Sequence, residues 1–353
     1  MQPEEIIRES MTKNKIGQGL RDYVSQHIIG QEVLVERLLI ALLCDGHLLV
    51  EGAPGLAKTR AIKVLSDGIE GNFHRVQFTP DLLPADLTGT DVFRPQDGSF
   101  VFQKGPLFHN LILADEINRA PAKVQSALLE AMAERQITVG SVTYPLPPLF
   151  LVMATQNPIE QEGTYPLPEA QLDRFLLHVR IDYPDAESEK KILALARDEA
   201  MQHNTLHNAQ SANAQSTGQS PNKTDTTSHK PAVRVSQQDL FTARDEVLNI
   251  YLADNLEAYL LEIILATRNP ASYGADLAQW IQYGASPRAS IALDRCARAH
   301  AWLAGRDYVD PEDIQTMAYD VLRHRILLTY EAEADGVTPD RFIRELITRI
   351  AVP

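Results

Sequence analysis

His47-Leu48-Leu49-Val50-Glu51-Gly52-Ala53-Pro54-Gly55-Leu56-Ala57-Lys58-Thr59 is the stretch on which the fold turns. Leu48, Leu49 and Val50 form a short apolar run of the kind that becomes a buried strand. Gly52, Pro54 and Gly55 bend the loop behind it, and Lys58 and Thr59 open a helix continuing through Ile62 and Leu65. Strand, tight loop and helix in that order make a phosphate cradle. Backbone N–H groups and the positive end of the helix dipole solvate phosphate oxygens, a lysine reaches the β and γ phosphates, and a hydroxyl binds magnesium. Lys58 and Thr59 are the candidates for those two roles, and Gly52, Ala53, Pro54, Gly55, Leu56, Ala57, Lys58, Thr59 and Arg60 for the nucleotide-binding face. The spacing fits G-x-x-x-x-G-K-[ST] except at Ala57, where a second glycine is usual; a methyl group is tolerable there if the residue is already helical. An ordinary glycine turn with an exposed lysine would read alike in this stretch alone, so later residues decide.

The chain has 353 residues, enough for about two domains, and its 44% apolar content is ordinary for a soluble protein. No apolar run approaches membrane-spanning length, and the start, Met1-Gln2-Pro3-Glu4-Glu5, lacks a signal peptide's apolar segment. Only Cys44 and Cys296 could pair, which excludes a disulfide framework, so a cytoplasmic location is expected. The 33 Lys and Arg against 47 Asp and Glu give a net charge of −14, which repels a phosphate backbone and counts against a nucleic-acid partner.

In chain order, Ile6 to Ser25 reads as an amphipathic helix and Glu32 to Leu43 as a second, with Val33, Leu34, Leu38, Leu39 and Leu42 on its apolar face. Between them Ile29, Gly30 and Gln31 make a small turn that either sandwiches an adenine ring or simply joins two core helices. Phe73 to Phe78 alternates as a strand. Thr79 to Leu107 then breaks the strand–helix repeat, and Asp97-Gly98 between Val92-Phe93 and Phe100-Val101-Phe102 predicts a projecting β-hairpin. Asn110 to Glu116 is an apolar run delivering two carboxylates at a strand's end, Asp115 for the magnesium shell and Glu116 to polarise a water aimed at the γ phosphate. Alone, two acids after a strand form a solvated turn; with the lysine loop upstream they point to a nucleoside triphosphatase. A helix over Pro121 to Glu134 and a hairpin over 137–144 around Gly140-Ser141 follow. Next come a strand from Leu149 to Met153, leading into Ala154-Thr155-Gln156-Asn157-Pro158, and a last core strand from Leu176 to Ile181. Asn157 either orients the attacking water or only starts a turn.

The runs Gly52-Ala53-Pro54-Gly55-Leu56-Ala57-Lys58-Thr59, Leu113-Ala114-Asp115-Glu116-Ile117-Asn118-Arg119, Met153-Ala154-Thr155-Gln156-Asn157-Pro158 and Leu172-Asp173-Arg174-Phe175 together resemble the MoxR family of AAA+ ATPases. The resemblance runs from about Ile28 to Arg325, and alanine before the lysine is that family's own form of the loop. It implies an α/β fold in which an αβα core with a five-stranded parallel sheet is followed by an all-α lid. The core spans 1–182, with a helix-2 insert within 79–107 and a pre-sensor hairpin at 137–144; the lid spans 183–353. It also implies ATP and Mg2+ as ligands, a homo-oligomeric and usually hexameric ring, and a chaperone-like role on client proteins. A partner bearing a von Willebrand factor A domain is often part of that role. By the same resemblance Asn157 corresponds to sensor 1, Arg174 to the arginine finger and Arg288 to sensor 2. A metal-chelatase motor subunit shares much of this architecture, and a nucleic-acid translocase or a non-hydrolysing scaffold are readings from other classes.

The residues after Tyr183 read as helical in their own right. Asp185 caps a helix through Leu195, and Ser286-Pro287-Arg288 sets a cap, a helix-opening proline and an arginine at another helix start. An arginine there opposes the helix dipole, so it meets either an external phosphate or an acidic neighbour. From 201 to 232 the chain is polar and poor in apolar residues, the composition of a linker, and His203, His207 and His229 lack partners at metal-ligand spacing.

Overall fold

The computed structural model describes residues 15–96, 98–158, 163–197, 201 and 234–353. The strands before residue 183 are β1 (Leu48–Glu51), β2 (Phe73–Gln77), β3 (Gly89–Arg94), β4 (Ser99–Lys104), β5 (Leu111–Asp115), β6 (Gln136–Val139), β7 (Val142–Pro145), β8 (Leu151–Gln156) and β9 (Leu177–Arg180). Five of them form one parallel sheet in the order β2-β5-β8-β1-β9. Because side chains alternate along a strand, both faces need apolar cover. Leu48, Val50, Leu111, Leu113, Leu151, Met153, Leu177 and Val179 point into one core, and Leu49, Ile112, Ala114, Val152 and Ala154 into the other. This is the five-stranded αβα arrangement expected.

The first of those cores does not stop at the sheet. It continues through Leu240, Tyr259, Leu293, Trp302, Met317 and Phe342 of the C-terminal helices. The helix Glu32–Leu43 lies between the two regions, and nine of its 12 residues are buried. Helical spacing puts Val33 on its apolar face, yet Val33 is 53% exposed, because packing on two sides takes the opposite flank instead. Arg37 of this helix is buried with it and donates from Nε to Asp320 Oδ2 at 2.6 Å, tying the two regions together.

The inserted stretch begins with a helical turn, Pro84–Thr88, and rises as the β3–β4 hairpin; Asp97 of its expected turn lies outside the described residues. The base of the hairpin is drawn tight. Gly89 has φ +92°, and a Cβ there would stand 2.2 Å from the Gln103 carbonyl oxygen. Phe102 stacks on Tyr144 of β7 at 4.2 Å between ring centroids, so the insert leans on the second hairpin, β6–β7, while Phe93 and Phe100 remain exposed near its tip.

At the N-terminus the helix is Lys15–His27, with the earlier part of the expected helix outside the described residues. After residue 183, residues 186–197 are helical, followed by Gln237–Leu248, Asp254–Arg268, Pro287–Leu303, Pro311–Leu322 and Pro339–Arg349 as the main helices. A two-stranded pair, β10 (Ile281–Tyr283) with β11 (Leu327–Leu328), is added to the helical region. Apart from Met201, the expected linker over 201–232 and its three histidines lie outside the described residues. Among the described residues no helix is long and apolar enough to cross a membrane.

Candidate functional site

The loop after β1 turns on two residues with positive φ, Gly55 (+85°) and Ala57 (+57°). Ala57 is therefore not yet helical, contrary to the condition under which its methyl group was tolerable. It is the left-handed N-cap of the helix Lys58–Gly68, and an L residue there carries roughly 1–2 kcal/mol of strain. That backbone bend sets the first turn of the helix against a cavity of about 400 Å³, lined by Pro54 to Arg60 with Arg75, Asp115, Glu116 and Asn157. Lys58 Nζ donates to the Gly52 carbonyl at 2.7 Å. Gly52 itself sits against Ile181, with no room for a Cβ.

The two carboxylates enter this cavity from β5, and the sheet order explains how they are held. β8 lies between β5 and β1, so Thr155 reaches Asp115 from the neighbouring strand: its Oγ1 donates to Asp115 Oδ1 at 2.6 Å and accepts from the Glu116 N–H at 2.9 Å. Asp115 Oδ2 accepts from Arg75 Nη2 at 2.6 Å and Nε at 3.1 Å. Glu116 also has positive φ, +57°, which turns its side chain back along the cavity; Oε2 accepts from Gln77 Nε2 at 2.6 Å and lies 3.1 Å from Arg119 Nε. Thr155, Arg75, Gln77 and Arg119 were not candidates in the sequence: for the first three nothing in their spacing says which strands are neighbours, and Arg119 reaches Glu116 only through the tight turn Ile117–Arg119. Thr155→Val removes both hydroxyl contacts at nearly constant volume. Phosphate-release assays should show ATP turnover lower by about tenfold or more with the fold kept, as is typical when a partner orienting a metal-site carboxylate is lost; an unchanged rate would deny Thr155 that positioning role.

Ile29, Gly30 and Gln31 lie at the flank of the loop. Gln31 Nε2 donates to the Asp182 carbonyl at 3.0 Å, one residue on from Ile181, and a Cβ on Gly30 would collide with Pro184 and Ser188. The turn is thus pressed against the segment leaving β9, beside Gly52. Directly before Gly52, Glu51 is approached by His178 Nε2 at 2.9 Å and by Arg180 Nε at 3.3 Å. Hydrogen bonding to His178, opposed by burial and aided by Arg180, lowers its carboxyl to about 2. A depressed carboxylate stabilises the fold above its unfolded value near 4.5, and that contribution is lost as pH falls from there through about 2. Glu51→Gln should therefore cost on the order of 1–2 kcal/mol at pH 7 and flatten the fall of the thermal midpoint below pH 5. Parallel midpoint-against-pH curves for the two proteins would contradict this.

Arg174 and Arg288 are not in the phosphate cavity. They line a second cavity of about 320 Å³ together with Asp45, His47, Arg135, Asp173 and Arg295. His47 precedes β1 and Arg174 precedes β9, whereas the phosphate loop, Glu116 and Asn157 all follow the ends of their strands. In a parallel sheet those are opposite ends. Four residues of β1 alone separate them by at least ~13 Å. Arg174 Nη1 donates to the Leu129 carbonyl at 2.5 Å rather than pairing with the nearby carboxylates of Asp173 or Glu169. Asp173 is taken instead by Arg325 Nε at 2.8 Å, by Ser286 Oγ at 3.0 Å and, loosely, by Arg288 Nη1 at 3.8 Å. Ser286 caps the helix Pro287–Leu303 as anticipated, and the Arg288 side chain is 58% exposed. His47 is held neutral, burial pushing it down to about 3, and its Nδ1 accepts from the Val152 N–H.

Residues 47–177 match the model of the ATPase family associated with various cellular activities, and residues 276–346 that of the AAA lid domain. The chain is 43% identical to Chaperone MoxR1 of Mycobacterium tuberculosis, over 94% of this chain and 80% of that protein. It is 33% identical to Protein MoxR of Paracoccus denitrificans, over 88% and 89%. A crystal structure of a proposed ATPase from Cytophaga hutchinsonii superposes with a TM-score of 0.84 at 43% identity, covering 99% of this chain and 98% of that one.

Proposed function

This chain belongs to the MoxR family of AAA+ ATPases and hydrolyses ATP, and from that premise we propose that its active sites are built between subunits of a homo-oligomeric ring, hexameric as in the family, that remodels or helps assemble client proteins. In one subunit the loop from Gly52 to Arg60 and Lys58 cradle the triphosphate, with Ile29, Gly30 and Gln31 against the adenine. The donor set suits a hard divalent cation: a threonine hydroxyl at the helix start and a carboxylate with one oxygen fixed by Thr155 and the other met by Arg75 at the cavity wall. Thr59 and Asp115 would hold magnesium, which would supply positive charge to offset that developing on the phosphates. Glu116 takes the proton of the attacking water, and the Asn157 amide orients that water. Arg174 and Arg288 come from the adjacent subunit and meet the charge spreading onto the γ phosphate.

One observation carries this reading: the two arginines stand at the opposite end of the sheet from the cradle of their own chain. A lone subunit then holds an incomplete site. Turnover per subunit should accordingly rise with protein concentration in step with ring assembly followed by sedimentation, and a constant specific rate down to monomer would contradict shared sites. The relative named a chaperone supports a role on client proteins, and the family resemblance implies a partner with a von Willebrand factor A domain. Such a protein should be retained by Glu116→Gln rings in ATP and not in ADP; equal retention in both would remove it as a nucleotide-governed partner.

A further inference from the structure

The phosphate cavity holds a cation to which no role has yet been given. Arg75 lies on β2, the outer strand of the sheet beside β5, and lines the same wall as Lys58, Thr59 and Asp115. β2 and β5 pair with Gln77 opposite Asp115 and Arg75 opposite Leu113. Arg75 is therefore the diagonal neighbour of Asp115 on one sheet face, within reach of a long side chain. It uses that reach on one atom. Nη2 at 2.6 Å and Nε at 3.1 Å both donate to Asp115 Oδ2, while Oδ1 is already held by Thr155 at 2.6 Å. Oδ2 is thus the oxygen left to a metal, and a guanidinium stands on it.

Two N–H donors already take both lone-pair directions of Oδ2, so a divalent cation binds that oxygen only by displacing at least one of them, and the like charges then left within a few ångströms weaken each other's hold. We propose that Arg75 is a metal-displaced latch, which holds Asp115 Oδ2 in the nucleotide-free subunit and is driven off that oxygen when Mg–ATP binds. The inference rests on the assignment of Asp115 to the metal, given above. The geometry suits a latch that opens. The Arg75 side chain is 50% exposed, so it can swing to solvent without moving the strand, and its hold is weakened by water. A single donation to Gln77 Oε1, at 3.0 Å, is its other anchor. Arg75 is in these terms a positioning residue, which keeps the carboxylate ordered and sets how strongly the cation must compete for it.

Mn2+ serves as the probe, titrated into Glu116→Gln protein held in excess over ATP, with free Mn2+ followed by electron paramagnetic resonance. Removing the competitor by Arg75→Ala should tighten Mn2+ about two- to fivefold, the range for a partly exposed ion pair. Arg75→Lys, which keeps one charged donor, should fall between. Arg75→Gln should behave as the alanine variant and replaces it if that protein fails to assemble. Asp115→Asn should weaken Mn2+, and adding Arg75→Ala to it should change nothing further. Unchanged or weaker Mn2+ binding in Arg75→Ala, with Asp115→Asn still weak, overturns the latch and leaves the metal assignment standing. Full Mn2+ affinity in Asp115→Asn overturns the assignment itself, and the latch with it.

Discussion

Rings made wholly of Arg174→Ala subunits should turn over ATP roughly a thousandfold more slowly than the parent while still binding it, the loss typical of a missing arginine finger. Arg174 stands before β9, among residues that precede the sheet, and its contact with the Leu129 carbonyl leaves the side chain directed at neither its own Lys58 nor its own Glu116. A mixing assay separates action across the interface from a purely structural effect. Lys58→Ala subunits keep the arginine and lack the cradle; Arg174→Ala subunits keep the cradle and lack the arginine. Neither alone should be active. Co-assembled, some interfaces regain every group, so partial, concentration-dependent phosphate release should return. Mixed rings as inactive as either parent would place the effect of Arg174 within its own subunit. Arg288→Ala should behave in the same sense, because Arg288 shares that cavity.

The second large effect belongs to Glu116. Glu116→Gln should bind ATP and magnesium and hydrolyse at least about a hundredfold more slowly, as loss of a general base implies. Lys58→Ala should instead lose ATP affinity. Nucleotide titration beside phosphate release tells the two apart, and hydrolysis by Glu116→Gln at the parent rate would take the base role from that carboxylate. The substitution also removes the negative charge that the Arg119 contact meets and turns one of the two acceptor oxygens into a donor, so side-chain order in the cavity should loosen even where affinity is kept.

What the sequence discloses about this molecule is local. The apolar run before Gly52, the paired acids after Leu113 and the Ser286-Pro287 helix start are each encoded by neighbours a few residues apart, and the corresponding strands and helix lie where they were expected. Contacts across strands are another matter. Thr155 grips Asp115 only because β8 separates β5 from β1, an order set by packing of distant segments that no spacing along the chain expresses. Ala57 shows a subtler limit. Its residue type argues for a helical conformation, and the cradle's need for a left-handed bend overrides that preference at a modest cost. Val33 departs for a related reason: helical periodicity marks a helix as apolar without saying that two partners will compete for its surface.

The helix Glu32–Leu43, enclosed on two sides, has a consequence for how the protein can be divided. A boundary near residue 182 separates two regions of sequence, yet one apolar interior runs from Leu48 and Leu38 through to Leu293 and Phe342. Cutting there would strip cover from Leu38, Leu42 and their neighbours and leave the Arg37 guanidinium without Asp320. The two regions should therefore melt together, in a single endotherm whose calorimetric and van't Hoff enthalpies agree. Inheritance should treat them likewise: a C-terminal region can be exchanged for a relative's only with the helix that it encloses.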